Sequence, residues 1–286
     1  MNADTGQGRS RTVRRRRLAG AVGIAVVAGA VAWSVAVRPS HDRDWQPEHA
    51  RAPHAVVTGD AVRIHDIRDF RYDAAGRAIA SYYTRDYDLS ALESVWFVLT
   101  PFERDFRGPA HAFLSFGFAD SQYVAISVEA RREVGESYSM LRGMLKRYEL
   151  LYVIGDERDL IGNRALVQDD EVYVYPIRAN PAQVRALFED MLDRANALHR
   201  DPEFYGTLLN NCTTAILEHV NRIAERKIRW GPRILLPGYS DALALELGLI
   251  DTELDIEGAR ARYRINDLAR AATDDSRFGV AIRSGR

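Results

Sequence analysis

The chain of 286 residues is 47% hydrophobic and 28% charged, with ten prolines and one cysteine. That composition excludes disorder, collagen-like repeats and a multi-span transporter. The formal charge of −1 hides an asymmetry, because six arginines and one acid fall in residues 1–37 and leave a body near −6. An acidic body argues against nucleic acid as a main partner, since duplex binding needs clustered cations.

Residues 1–17 read as a basic tail ending in the block Arg14 to Arg17. Leu18 to Val37 follows without a charge, long enough as a helix to cross a bilayer core once. The arginines place the tail in the cytoplasm by the positive-inside rule and the body on the far, extracytoplasmic side of the membrane. A cleavable signal peptide is the alternative, with Ala30-Val31-Ala32 as its processing site. Residues 38–60, rich in Pro, His, Asp and Arg, read as a linker.

From Ala61 the pattern is strand-like. Candidate strands run through Val62 to Tyr72, Ala78 to Asp86 and Val95 to Leu99, with a short helix at Leu89 to Ser94. Ala110 to Phe118 and Gln122 to Ala130 form a hairpin around the three-residue loop Ala119-Asp120-Ser121, where a glycine would suit the third position better than Ser121. A short helix near Tyr138 to Arg147, a strand at Glu149 to Ile154, the charged loop Gly155 to Asp159 and a strand at Glu171 to Pro176 complete this half. The last hundred residues are helical. Pro181 to His199 carries Val184, Leu187, Phe188, Met191, Leu192, Ala195 and Leu198 on a period near 3.6, with Asn180 as cap. Thr213 to Ala224 and Asp241 to Leu247 are further helices, the latter closed by Gly248. Strands followed by helices predict one α+β domain over 61–252, with 253–286 as a C-terminal tail.

Cys212 lies at the start of a helix, where the dipole and free backbone N–H groups favour the thiolate and could hold an oxyanion. Asn210, Asn211 and Arg131 are the associated oxyanion or substrate-binding candidates. The competing reading is a buried structural thiol. A nucleophilic thiol needs a base. Of seven histidines, His41, His49 and His54 fall in the linker, His219 is about 10 Å along the helix from the cysteine, His199 sits at a helix end and His65 in the first strand. His111, inside the apolar strand Ala110 to Phe116, is the base candidate. A three-residue hairpin loop makes cross-strand partners sum to 240 and puts Glu129 opposite His111, where it would orient the ring. A two-residue loop would put Val128 there, leaving Glu129 to pair with Arg131 or Arg132 at the surface. No paired cysteines or His-Glu-x-x-His motif point to a metal, and no cofactor is expected. Arg68-Asp69 and Asp156 to Asp159 read as ion-pair scaffolding of strand ends.

Six stretches in order carry a resemblance. They are VRIHDIRDFRY (62–72), VWFVLTPF (95–102), AHAFLSFGFADSQYVAISVEARRE (110–133), YELLYVIGDERDLIGNR (148–164), FYGTLLNNCTT (204–214) and LPGYSD (236–241). Together they resemble the Lnb N-terminal periplasmic domain family, over roughly residues 40–252. That family is similar to permuted papain-like, NlpC-type cysteine enzymes, whose antiparallel sheet is packed with helices and whose His strand precedes the Cys helix. The resemblance implies an acyl-thioester on Cys212, with His111 as base and Glu129 as orienter, and a phospholipid or lipoprotein substrate in lipoprotein N-acylation. An amidase, peptidase or thioesterase would use the same residues, and a non-catalytic envelope binding module would use none of them as catalysts. The family's namesake carries more spanning segments than the single one expected here.

Overall fold

The computed structural model describes residues 18–25, 28–29, 32, 37–73, 75–103, 108–207, 210–273 and 277–285. The chain divides into Met1–Ser40 and His41–Arg286. In the first unit, residues 18–25 are helical, while 1–17, 26–27, 30–31 and 33–36 of the expected tail and spanning run lie outside the described residues. Among the described residues no helix is long and apolar enough to cross a membrane.

The second unit is α+β. Its strands are β1 (His54–Thr58), β2 (Ala61–Arg68), β3 (Arg71–Tyr72), β4 (Ala78–Ile79), β5 (Tyr82–Asp88), β6 (Leu92–Pro101), β7 (Ala110–Phe118), β8 (Tyr123–Arg131), β9 (Glu149–Gly155) and β10 (Tyr173–Pro176). The main sheet runs β1-β2-β9-β8-β7-β6-β10, with β5 on β2 and a separate β3-β4 pair. It is mixed rather than purely antiparallel, because β2 meets β9 in parallel at Arg68 and Gly155. The helices are α1 (Met140–Met144), α2 (Glu157–Gly162), α3 (Pro181–Arg200), α4 (Cys212–Ile223), α5 (Pro232–Leu235), α6 (Ser240–Glu246), α7 (Ile256–Tyr263), α8 (Asn266–Ala271) and α9 (Phe278–Ala281).

Every residue of β7 is buried, because helices cover both faces of the sheet. On one face Ala112, Leu114 and Phe116, with Val124, Ile126 and Val128 of β8, pack against Phe188, Met191 and Leu192 of α3 and Ala215 and Ile216 of α4. On the other, Phe113, Ala125 and Val153 pack against Leu160 and Ile161 of α2 and against Ile265, Ala269, Phe278 and Ile282. Alternation along each strand sorts its side chains between the two cores.

The local signals act as expected where they are self-contained. Asn180 caps α3 through a reciprocal capping box with Gln183, and all seven stripe residues are buried. The β7–β8 loop has Ser121 at φ +63° and closes with the Phe118 amide donating to the Gln122 carbonyl at 2.9 Å. A three-residue loop needs such a left-handed third residue, so Ser121 holds the geometry that glycine would adopt more readily.

Three segments differ from expectation. Residues 41–60 are not a linker but part of the domain. Residues 44–46 pair with 132–134, Trp45 is buried, and Asn196 of α3 bonds both the amide and the carbonyl of Ala55 at 2.7 and 2.9 Å. Their hydrophobic content is low, so no periodicity betrays them. The C-terminal stretch is likewise built in: Arg283 reaches Glu157 with two bonds of 2.8 and 2.6 Å, and Ser115 donates to the same carboxylate at 2.5 Å. The charged stretch at 155–159 is not a loop. Asp156 caps α2, and Glu157 and Asp159 are buried because each meets an arginine.

Candidate functional site

The site arises where two strands part. The β7–β8 ladder runs from Gly117–Tyr123 to Leu114–Ile126 and stops. Beyond it β7 continues on β6 to Ala110, and β8 continues on β9 to Arg131. Helix α4, which begins at Cys212, packs against both strands. There the Cys212 sulfur lies 3.7 Å from Thr213 Oγ1, and the Ala112 amide acts to lower its pKa.

Extending the register past the last backbone pair sets His111 opposite Glu129, and their side chains meet across the gap. His111 Nε2 lies 2.7 Å from Ser127 Oγ and 3.1 Å from Glu129 Oε1. Ser127 Oγ lies 2.7 Å from that same Oε1. Burial disfavours a charged Glu129, but the His111 ring and Arg164 more than offset it and hold the carboxyl well below its ordinary range. An ionised Glu129 accepts the Ser127 hydroxyl proton, so Nε2–H donates to Ser127. With Nε2 engaged, Nδ1 is the nitrogen left to act on the Cys212 sulfur, which is among the groups that raise the ring.

Burial works against charge on His111, yet the Glu129 carboxylate and the Cys212 sulfur outweigh it and raise the ring to about 9. Burial also resists a thiolate, but the hydrogen bond and charge of His111, then the Ala112 amide and Thr213, lower the thiol from its ordinary value. These opposite shifts favour a thiolate–imidazolium pair.

Asn211 is the α4 N-cap. Its Oδ1 accepts from the Thr213 and Thr214 amides at 3.0 and 2.9 Å, and its Nδ2 donates to the Thr207 carbonyl at 2.7 Å. Its side chain is therefore spent on the helix, and so are two of the first-turn amides expected to face an oxyanion. The Cys212 amide has no hydrogen bond to another described residue. Replacing Asn211 by Ala is expected to cost about 0.5–2 kcal/mol of stability and to slow Cys212 alkylation; a denaturant midpoint with an iodoacetamide rate checks both.

Asn210 is half-buried and exchanges backbone bonds with Gly206. Arg131 turns away from the sulfur. Its guanidinium bonds the carbonyls of His49 and Ala50 at 2.8 and 3.0 Å and His41 Nδ1 at 2.9 Å, over the Trp45 ring. His219 is held by Tyr152 at 2.7 Å and Asp190 at 2.6 Å. Asp241 of the LPGYSD stretch accepts from Tyr175 and Arg260, which makes it a support rather than part of the site.

Sequence reasoning missed Ser127, which shares a strand face with Glu129 two residues away and could have been found by that spacing. It also missed Tyr138 and Tyr205, which line a cavity of about 330 Å³ with Cys212, His111 and Phe102. Nothing local marks them. Among the described residues no group of three or more His, Cys, Asp or Glu is arranged to hold a metal.

Residues 78–236, which include His111, Ser127, Glu129 and Cys212, match the family model described as the Lnb N-terminal periplasmic domain, over more than half of the chain. The chain belongs to the Lnb N-terminal periplasmic domain family. This membership indicates a periplasmic envelope protein. The match is narrower than the six-motif resemblance: it omits residues 40–77, with the first motif at 62–72, and those after 236, with all but the first residue of LPGYSD, although the fold builds residues 41–77 and 237–252 into the same unit. No curated protein and no solved structure matches this Lnb N-terminal domain chain.

Proposed function

We propose that this domain is a thiol acyltransferase of the envelope, which takes an acyl chain from an ester onto Cys212 and passes it to an amine. The observation that carries the reading is the run from sulfur through imidazole and hydroxyl to carboxylate, set at a helix N-terminus and opening on a cavity. The Cys212 thiolate attacks the acyl carbonyl carbon, and the oxyanion forms beside the Cys212 amide. The ester C–O bond breaks as the His111 imidazolium gives its proton to the departing alkoxide, leaving a thioester and neutral imidazole. An amine then attacks the thioester, His111 takes the amine proton, and the C–S bond breaks to restore the thiolate. Ser127 and Glu129 keep the ring in one orientation and stabilise its charged form.

Family membership supports a phospholipid donor and a lipoprotein amine as acceptor, in a fold of permuted papain-like type. The uncharged run at 18–37 behind four arginines supports a single anchor that keeps the site near lipid. The test is intact mass of the full chain after incubation with phospholipid vesicles, alongside Cys212→Ala. One acyl group, removable by neutral hydroxylamine and absent from the variant, is the expected result. An unmodified wild-type chain with both vesicles and a soluble activated ester would overturn the reading.

A further inference from the structure

Two cavities meet at His111. The first, of about 330 Å³, contains Cys212; the second, of about 360 Å³, runs from His111 past Ser127 towards Arg68, Tyr72 and Glu48. His111, Glu129, Arg132, Arg164 and Gln168 line both, so two guanidinium groups stand at the junction.

The neighbours of each arginine set the local charge. Arg164 projects from the π-helical turn Asn163–Val167 and uses one nitrogen, Nη1, on Gln168 at 2.8 Å and Asp170 at 3.2 Å. Arg68, deeper in the second cavity, is fully paired with Asp159. Arg132 differs. It is half-buried, its backbone amide is fixed by His49 Nδ1 at 3.1 Å and its carbonyl by the Gln46 amide at 3.0 Å, yet its guanidinium has no ion pair or hydrogen bond with a described residue. Arg164 is offset by Asp170 at 3.2 Å, Glu129 is held by Ser127 and His111, and the buried His49 beside Arg132 is neutral. Arg132 is left as a guanidinium without a partner among the described residues, at a concave junction beside the reactive sulfur. A guanidinium held in such a place without a partner suits an incoming anion, to which it can donate two parallel hydrogen bonds.

We propose that the junction is a subsite for an anionic oxygen group of the substrate, a phosphate or a carboxylate, bound by Arg132 and assisted by Arg164. The assignment to a substrate rests on the thiol chemistry above; the anion site itself does not. Residues 41–50, clamped by Arg131, would then serve to present Arg132 by fixing the backbone on either side of it. Sequence places Arg131 and Arg132 side by side, and the fold divides them: one guanidinium is used in building, the other faces the cavities.

The experiment uses the full chain carrying Cys212→Ala, so that no covalent chemistry intervenes, titrated with inorganic phosphate and separately with acetate at low ionic strength. Saturable binding of at least one anion is expected. Arg132→Gln should weaken it at least tenfold, Arg164→Gln less, and Arg142→Gln, outside both cavities, not at all. Tighter phosphate binding points to a phosphate ester and tighter acetate binding to a carboxylate, and either supports the subsite. Absence of saturable binding, or binding unchanged in both Arg132→Gln and Arg164→Gln, overturns it. With Cys212 intact, neutral iodoacetamide reports the thiol and the iodoacetate-to-iodoacetamide rate ratio reports the subsite. An unreactive thiol with intact anion binding would remove the acyl-transfer reading alone, and a reactive thiol without anion binding would remove the subsite alone.

Discussion

Replacing His111 by Ala is expected to slow acylation of Cys212 by about 10²–10⁴-fold with little change in the far-ultraviolet circular dichroism. The ring lowers the thiol pKa, and in the proposed mechanism it protonates the leaving alkoxide. The pH profile of acyl transfer should be a bell. On the acid side activity falls as the Cys212 thiolate takes up a proton, below the ordinary thiol range because its pKa is lowered. On the alkaline side it falls as the imidazolium, raised to about 9, loses its proton and can no longer act as acid. Glu129→Gln should draw that alkaline limb down from about 9, towards the unperturbed imidazole value of about 6.5. Iodoacetamide alkylation, which needs no proton donor, should keep its rate above pH 9. A wild-type and Glu129→Gln pair with identical alkaline limbs would show that the carboxylate does not stabilise the charged ring.

Asp159→Ala should be the most destabilising single change outside the site. Asp159 is fully buried and accepts from Arg68 Nε at 2.7 Å, Arg68 Nη2 at 3.1 Å, the Phe70 amide at 2.9 Å and Tyr72 at 3.4 Å. Its removal leaves the Arg68 guanidinium buried without its partner, which costs about 3–5 kcal/mol. For a chain of this size that corresponds to a melting temperature lower by roughly 6–20 °C. Differential scanning calorimetry checks it, and a loss below about 1 kcal/mol would mean that water replaces the carboxylate.

Features set by neighbours along the chain were legible in the sequence. The α3 stripe is a local period, its cap a local hydrogen bond, and the β7–β8 register follows from loop length and parity, which is why Glu129 could be set against His111 without a structure. Cys212 at a helix start follows from Asn211 as a capping residue before an apolar-periodic run. The approach of the sulfur to the ring was decided only in three dimensions. His111 and Cys212 are brought together because β7 and β8 part after Leu114 and Ile126, and that parting depends on β6 and β9 each drawing one strand away. Tertiary contacts likewise decided that Arg131 anchors residues 41–50 while Arg132 faces the cavities, and that acids at 157 and 159 are buried rather than looped out. Charged side chains carry no periodic signal, and where each one goes depends on which distant arginine or carboxylate the packed chain sets beside it.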